Sequence, residues 1–458
     1  MRATFPNAMR EAKARRPLRR PRRRAAGVVL IAVLFVLIVV SIAALSLARE
    51  VRIELEASAR SADAVKARAL VDSAIERVIA QLGLDETPED TLFDAWREDD
   101  AAFKAAALGA DRYYVFFGEP DPGDGKEFRF GVRDEASKLN LNTATREQLL
   151  ALPGMDEAVV DSILDWRDID DDAREEGAER EFYQSLKPGY RPKDGPIECL
   201  EELLLVKDVD ERVLYGEDRN RNGLLDPGED DGSRSFPPDD ADGRLDRGLA
   251  DYVTLVSSEP NVTLEGKPRL NVTGAQPAEV RARLESAGLA PGAAQAVEDY
   301  LKRERRVASV GQFLQIGGLG EAEFRILADQ LTTSDAETIP GRINVNTAPR
   351  EILSLLPGLE AEDVEAILSR RRAPDEDFST PAWLLRVIAR EKLAAIFDAV
   401  TTRSFQFSFQ AAALLEDRGV MNRVEVVVDR TMHPPRVLWR RDLSALGFPI
   451  YGQREGEP

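Results

Sequence analysis

The sequence predicts an α+β fold: a long N-terminal helix packed on an antiparallel sheet, with a large α-helical insert between the strands. Three observations predict it. Val28 to Leu47 run for twenty residues without a charge, and Ala48 to Leu82 follow without Gly or Pro, so one helix of about 55 residues and roughly 80 Å is expected. Runs of β type lie near both ends of what remains. Between them, residues 138 to 400 read as helices, and their text repeats.

Ten basic residues and one acid fall within residues 1–27, a net +9. The whole chain of 458 residues carries −20, so the remainder carries −29. Basic residues before an apolar helix hold that end in the cytoplasm and leave the acidic bulk on the far side. The leader and apolar run resemble a secretory signal, but the small residue that suits processing, Gly27, precedes the apolar run. A cut between Gly27 and Val28 removes the basic leader and leaves the helix at the new N-terminus. An uncleaved signal anchor fits the same residues. Residues 28–47 are the membrane-crossing half of the helix. In the half from 48 to 82, Val51, Leu55, Ala59, Ala62, Val65, Ala69, Ile75 and Ile79 are expected to line one face. Gly83 ends the helix.

Tyr113 to Phe117 and Phe128 to Val132 read as strands of a hairpin, joined by the Pro/Gly/Asp-rich turn Glu119 to Gly125. Residues 48–137 thus hold the amphipathic half-helix and the first strands, and 138–400 the insert. Beyond 400 the period returns to two in Ser404 to Ala412, Arg423 to Asp429 and Arg436 to Trp439. The segment 401–451 is therefore read as the strands that complete the sheet, and 452–458 as a disordered tail.

Within the insert, Leu139-Asn-Leu-Asn-Thr-Ala-Thr-Arg-Glu recurs as Ile343-Asn-Val-Asn-Thr-Ala-Pro-Arg-Glu, with a weaker echo at Leu270-Asn-Val-Thr-Gly-Ala. Thr143 and Thr347 read as N-caps. Pro153-Gly154 and Pro357-Gly358 read as tight turns into second helices at 157–168 and 361–371, which makes each copy a helix-hairpin-helix-like unit. Such hairpins can aim backbone N–H groups at phosphates. Here Asp156, Glu157, Glu360, Glu362 and Asp363 follow the hairpins, where phosphate would approach. An acidic chain gains nothing from counterion release, so a scaffold is expected and no nucleic-acid partner.

One histidine, His433, and one cysteine, Cys199, exclude an internal disulfide and a histidine-based metal site and leave few parts for catalysis. The chain is read as non-enzymatic, with Cys199 a small buried residue.

The sharpest local motif lies in the low-hydrophobicity block 215–248. In Asp218-Arg-Asn220-Arg-Asn222-Gly223-Leu224-Leu-Asp226-Pro-Gly-Glu229, oxygen ligands fall at positions one, three, five and nine, with Gly at six and Glu at twelve. This is the spacing of a calcium loop: Gly permits the sharp turn, Leu224 offers its backbone carbonyl, and Glu229 supplies two oxygens. Leu225 is expected to anchor the loop to a core, and Pro227-Gly228 argue against a long helix after it. Asp240, Asp242 and Asp246 resemble half of such a loop and are candidates for a second ion, with a solvated face the alternative. A third acidic cluster, Asp165 with Asp168 to Asp172, is read as a solvated face.

Together, the Gly27–Val28 junction, the helix, Asp134-Glu-x-x-Lys-Leu-Asn-Leu-Asn at 134–142, the repeats, the calcium loop and the terminal strands resemble the K-type minor pseudopilins of type II secretion systems. The resemblance covers essentially the whole chain. It implies a pilin-like fold with structural Ca²⁺, cleavage before Val28 by prepilin peptidase with possible methylation, and a single-pass inner-membrane protein with its bulk in the periplasm. It also implies a place at the pseudopilus tip beside I-type and J-type minor pseudopilins, near the major pseudopilin and the inner-membrane secretion platform. Most pilins carry Glu at the fifth position after the cut, where a neighbour's ammonium pairs with it inside the membrane. That position is Ala32 here, a departure the K-type family shares and one that suits a terminal subunit. A helix-hairpin-helix DNA-uptake component, a type IV pilus minor pilin and a membrane-anchored calcium-binding adhesin are the alternatives.

Overall fold

A computed structural model of the chain describes residues 25–119, 126, 128–234, 239–304, 306–373, 376–415 and 418–449. Residues 1–24 of the leader 1–27, the turn residues 120–125 and the tail 452–458 lie outside the described residues. The fold divides into Met1–Asp63 and Ala64–Pro458. In the first unit, the opening part of α1 (Ala25–Leu84) exposes every side chain from Gly27 to Ala62. Among the described residues, α1 is the helix long and apolar enough to cross a membrane.

In the second unit, Ala67, Leu70, Val71, Ala74, Ile75, Val78 and Leu82 of α1 are buried. Their spacing of three and four residues makes one helical stripe. It is not the stripe expected from the sequence: Val51, Leu55 and Val65 are exposed, as are Ala59, Ala62 and Ala69. Only Ile75 is buried, and Ile79 half-buried. Alanines and valines cover more than one side of this helix, so composition alone does not set the phase. The sheet does. The helix ends one residue beyond Gly83, at Leu84.

After the short helix α2 (Asp100–Phe103) come β1 (Ala106–Leu108), β2 (Asp111–Gly118), β3 (Phe128–Arg129) and β4 (Arg133–Asp134). β2 and β3 form the expected hairpin, with Phe117 opposite Arg129. The second arm is shorter than expected, because after Phe130 the chain turns to place β4 on a later strand. The late strands, numbered here β13 (Gln406–Leu415), β14 (Val420–Asp429) and β15 (Arg436–Asp442), complete the antiparallel sheet. β13 receives β2 at Gln410↔Phe116 and β4 at Phe407↔Asp134. The insert thus leaves the sheet from β4 and returns to it one strand away. Phe407, Phe409 and Ala411 lie directly opposite Val428, Val426 and Val424 and share one core with the α1 stripe.

The insert has its own core, built from three repeats, each closed by a two-residue parallel pairing. In the first, β5 (Leu139–Asn140) pairs with β6 (Val253–Thr254) and encloses α3 (Arg146–Leu150), α4 (Glu157–Arg167), α5 (Arg180–Ser185), a 3₁₀ turn at Leu200–Leu205 and α6 (Glu211–Tyr215). A short strand β7 (Ser258–Pro260) follows. In the second, β8 (Leu270–Asn271) pairs with β9 (Leu331–Thr332) around α7 (Pro277–Ser286), α8 (Pro291–Arg303), a 3₁₀ turn at Val310–Gln315 and α9 (Glu321–Gln330). β10 (Thr338–Pro340) then pairs back onto β7. In the third, β11 (Ile343–Asn344) pairs with β12 (Val400–Thr401) around α10 (Arg350–Leu353), α11 (Ala361–Arg370), a 3₁₀ turn at Pro381–Arg386 and α12 (Arg390–Ile396).

The weak echo at Leu270 is therefore a full repeat. Each opening Asn folds its side chain onto the N–H two residues on: Asn140 on Asn142 at 3.0 Å, Asn271 on Thr273 at 2.9 Å, Asn344 on Asn346 at 3.0 Å. Each closing Thr hydroxyl accepts the N–H two residues on, at 3.2 Å in all three. The N-caps of the first helices are Thr145 and Pro349, not Thr143 and Thr347. The hydroxyls of those two threonines turn away, to the Asn140 carbonyl at 3.3 Å and to Asp134 at 2.6 Å. Gly154 and Gly358 sit at φ of +72° and +79°, as turns between the paired helices require. Cys199, expected inside, is exposed, because it precedes a 3₁₀ turn that buries Leu203 instead.

Candidate metal centre

The block 215–248 begins where α6 ends and closes on itself. Gly216 and Arg247 form an antiparallel bridge, and the Glu217 N–H reaches the Asp246 carbonyl at 2.8 Å. Within it, Asp218 accepts the N–H groups of Asn222 at 3.0 Å and Gly223 at 2.7 Å. Glu229 accepts those of Arg219 at 2.8 Å and Asp226 at 3.1 Å. Carboxylates at positions one and twelve thus tie the loop across its width. Asn220 and Asn222 both donate side-chain amides to Asp226, the latter at 2.9 Å.

The loop is docked on the sheet. Gly223, at φ +76°, lies so close to Gly118 of β2 that an added Cβ would come 2.6 Å from the Gly118 Cα. Leu224, and not Leu225, packs against the sheet core. Here the Arg221 carbonyl accepts from Gln410 at 2.6 Å and from Arg423 at 2.7 Å, and the Gly223 carbonyl accepts from Arg247 at 3.0 Å. Asn222 donates to the Pro449 carbonyl at 3.0 Å. Sequence reasoning missed Gln410, Arg423 and Arg247. No local pattern marked them: Arg423 falls on the same alternating phase as Glu425 and Asp429.

Asp218, Asn222 and Glu229 are buried. Burial first, then the negative charges of Asp251 and Glu229, pushes the Asp218 carboxyl up to about 7. Burial and the neighbouring Asp226 raise Glu229 as well. Carboxylates held this way favour either a proton or a cation. The buried Oδ1 of Asn220 has no hydrogen-bond partner among the described residues, so an oxygen at position three is left for a ligand. Asp218, Asn220, Asn222, Asp226, Glu229 and the Leu224 carbonyl offer only oxygen, the donor chemistry that a hard cation such as Ca²⁺ takes, although Asp218, Asp226 and Glu229 are not among the carboxylates drawn into one close group.

Asp240, Asp242 and Asp246 are exposed. Asp240 and Asp242 serve as successive turn acceptors, from the Asp242 N–H at 3.1 Å and the Arg244 N–H at 2.8 Å. The third acidic cluster is not the solvated face expected: Asp165 is fully buried, because α4 turns it inward. Only Asp170, Asp171 and Asp172 remain exposed. Gly27 and Val28 both lie in α1 and are exposed.

Comparison with known proteins bears on residues 130–215, which match the family model for the type II secretion system (T2SS), protein K. This stretch runs from the end of the hairpin through α6. No curated protein matches the chain in sequence. Among solved structures, the GspK-GspI-GspJ complex from the enterotoxigenic Escherichia coli type 2 secretion system is similar at 13% identity and a TM-score of 0.40. The match covers 86% of this chain and 99% of that one. Residues 130–215 are thus similar to protein K of the type II secretion system, over about a fifth of the chain.

Proposed function

We propose that this chain is a minor pseudopilin that sits at the tip of the type II secretion pseudopilus and initiates and caps its assembly for protein export across the outer membrane. The match over residues 130–215 carries this reading. The anchor and its processing site suit a pseudopilin, and Ala32 and the insert support the place at the tip. The apolar half of α1 suits a single-pass inner-membrane anchor with its N-terminus in the cytoplasm. Prepilin peptidase would cut between Gly27 and Val28. With Ala32 in place of the usual Glu, no carboxylate inside the membrane receives the ammonium of a following subunit. The insert adds bulk above the sheet, where another subunit would otherwise stack. I-type and J-type minor pseudopilins are the expected neighbours.

In this reading Ca²⁺ is structural. Asp218, Asp226 and Glu229, with Asn220, Asn222 and the Leu224 carbonyl, would hold it. The ion supplies positive charge to buried carboxylates that otherwise repel one another. The loop then fixes Arg221 and Gly223 against β2 and β13. Nothing in the donor set calls for a catalytic role.

The test is co-expression of the full chain with I-type and J-type minor pseudopilins and prepilin peptidase. The expected result is a mature chain that begins at Val28 by intact mass and co-purifies with both. A chain that keeps Met1 in the presence of active peptidase would overturn the pseudopilus reading. A chain cut at Val28 that binds neither partner would overturn the place at the tip.

A further inference from the structure

At the C-terminal end of α4, Asp165 and Asp168 face Glu179, the residue that opens α5. One carboxylate oxygen from each lies within 4.8 Å of the others. Glu179 is 5% exposed, and neither of its carboxylate oxygens has a hydrogen-bond partner among the described residues. The buried Oδ1 atoms of Asp168 and Asp194 are likewise without partners there. A buried carboxylate without any donor is costly, and here it is aimed at two others.

We infer that Asp165, Asp168 and Glu179 form a second, independent site for a hard divalent cation of the Ca²⁺ type. The ligand span suits bonds of about 2.3–2.6 Å to oxygen, and the donors present are all oxygen. Arg174 supplies part of the positive charge that the cluster calls for. Its Nη1 pairs with Asp165, and with Asp168 at 2.7 Å, and its N–H reaches Asp165 at 3.1 Å. Arg174 does not hydrogen-bond Glu179, so the guanidinium satisfies two of the three carboxylates. Burial, followed by the charges of Asp165, Asp168, Asp194 and Asp171, pushes Glu179 up to about 7. The loop between is shaped to the site: a Cβ on Gly177 would fall 1.9 Å from the Asp165 carboxylate. An ion here would join the end of α4 to the start of α5 and swing the Arg174 side chain outward.

The experiment counts Ca²⁺ bound by the full-length, detergent-solubilised chain at equilibrium with ⁴⁵Ca²⁺, in a background in which Asp218→Ala and Glu229→Ala disable the 218–229 loop. One ion per chain is expected to remain, and Glu179→Gln should abolish it. No ion retained at millimolar Ca²⁺, or retention unaffected by Glu179→Gln, would overturn the site. Should the background variant not fold, hydrogen exchange on the wild-type chain reads the site by region. Amides 168–178 are expected to gain protection in Ca²⁺ over chelator and to lose that gain in Glu179→Gln. Equal exchange in both conditions would overturn it.

Discussion

Nη2 of Arg403 lies 2.6 Å from Oε1 of Glu259, deep in the insert. Arg269 approaches the same oxygen at 3.0 Å and Arg342 the other at 3.5 Å. Burial alone would raise the Glu259 carboxyl, but the three guanidiniums outweigh it and hold the group well below its ordinary 4.5. A folded value below the unfolded one means that this stabilisation is complete above about pH 4.5 and is lost as pH falls toward the folded value. Glu259→Gln leaves buried guanidiniums without their carboxylate, so a loss of about 3–5 kcal/mol at pH 7 is expected. The acid limb of stability should also flatten. Urea midpoints between pH 7 and 3 measure both.

The same repeat position carries different weight in different repeats. Asn344 is fully buried and donates to Asp134 and Ser404, both at 3.0 Å. Asn271 is half-buried and donates to Asp335 at 2.8 Å. Asn344→Ala is expected to cost about 2–3 kcal/mol and Asn271→Ala less than about 1 kcal/mol. Equal costs in chemical denaturation would show that the opening Asn acts only through its own turn.

Gly223 and Gly228 lie five residues apart in one loop, but only Gly223 has positive φ and a backbone neighbour against its missing Cβ. Gly223→Ala should lower the melting temperature by several degrees, because strain of about 1 kcal/mol adds to the loss of contact with Gly118. Gly228→Ala should fall within about 0.5 kcal/mol of wild type. Differential scanning fluorimetry separates the two.

Asp218, raised from 3.8 to about 7, ties loop stability to pH in the absence of Ca²⁺. The folded value lies above the unfolded one, so the protonated carboxyl stabilises most fully below about pH 3.8. That contribution is lost as pH rises through about 7. In chelator, protease resistance of residues 218–229 should fall between pH 5 and 8, and added Ca²⁺ should restore it at pH 8. Asp218→Asn should show neither response.

The apolar run 28–47 and the late strands were legible in the sequence, because each rests on a short-range pattern. The apolar run needs only length without charge, and strands need alternation. The two clear copies of the repeat were visible for the same reason. The third was faint because only its opening Leu270-Asn271 and closing Leu331-Thr332 keep the pattern, while the residues between need only be helical and apolar.

What failed in the sequence reading failed at long range. Ala67, Val71, Ala74 and Val78 form the buried face of α1 because β13 and β14 lie against them, and nothing within the helix distinguishes that stripe from Val51, Leu55 and Val65. Thr143 looked like a cap, yet the chain bends two residues later and Thr145 takes the role. Asp165 and Asp168 read as solvent-facing acids until α5 placed Glu179 over them. The sequence by itself determined the periods, the loop spacing and the charge asymmetry, since these depend on neighbours within one turn of chain. Which face is buried, which carboxylates meet and where Gln410, Arg423 and Arg247 dock the loop were decided by the tertiary structure, because burial and charge pairing depend on residues brought together from distant parts of the chain.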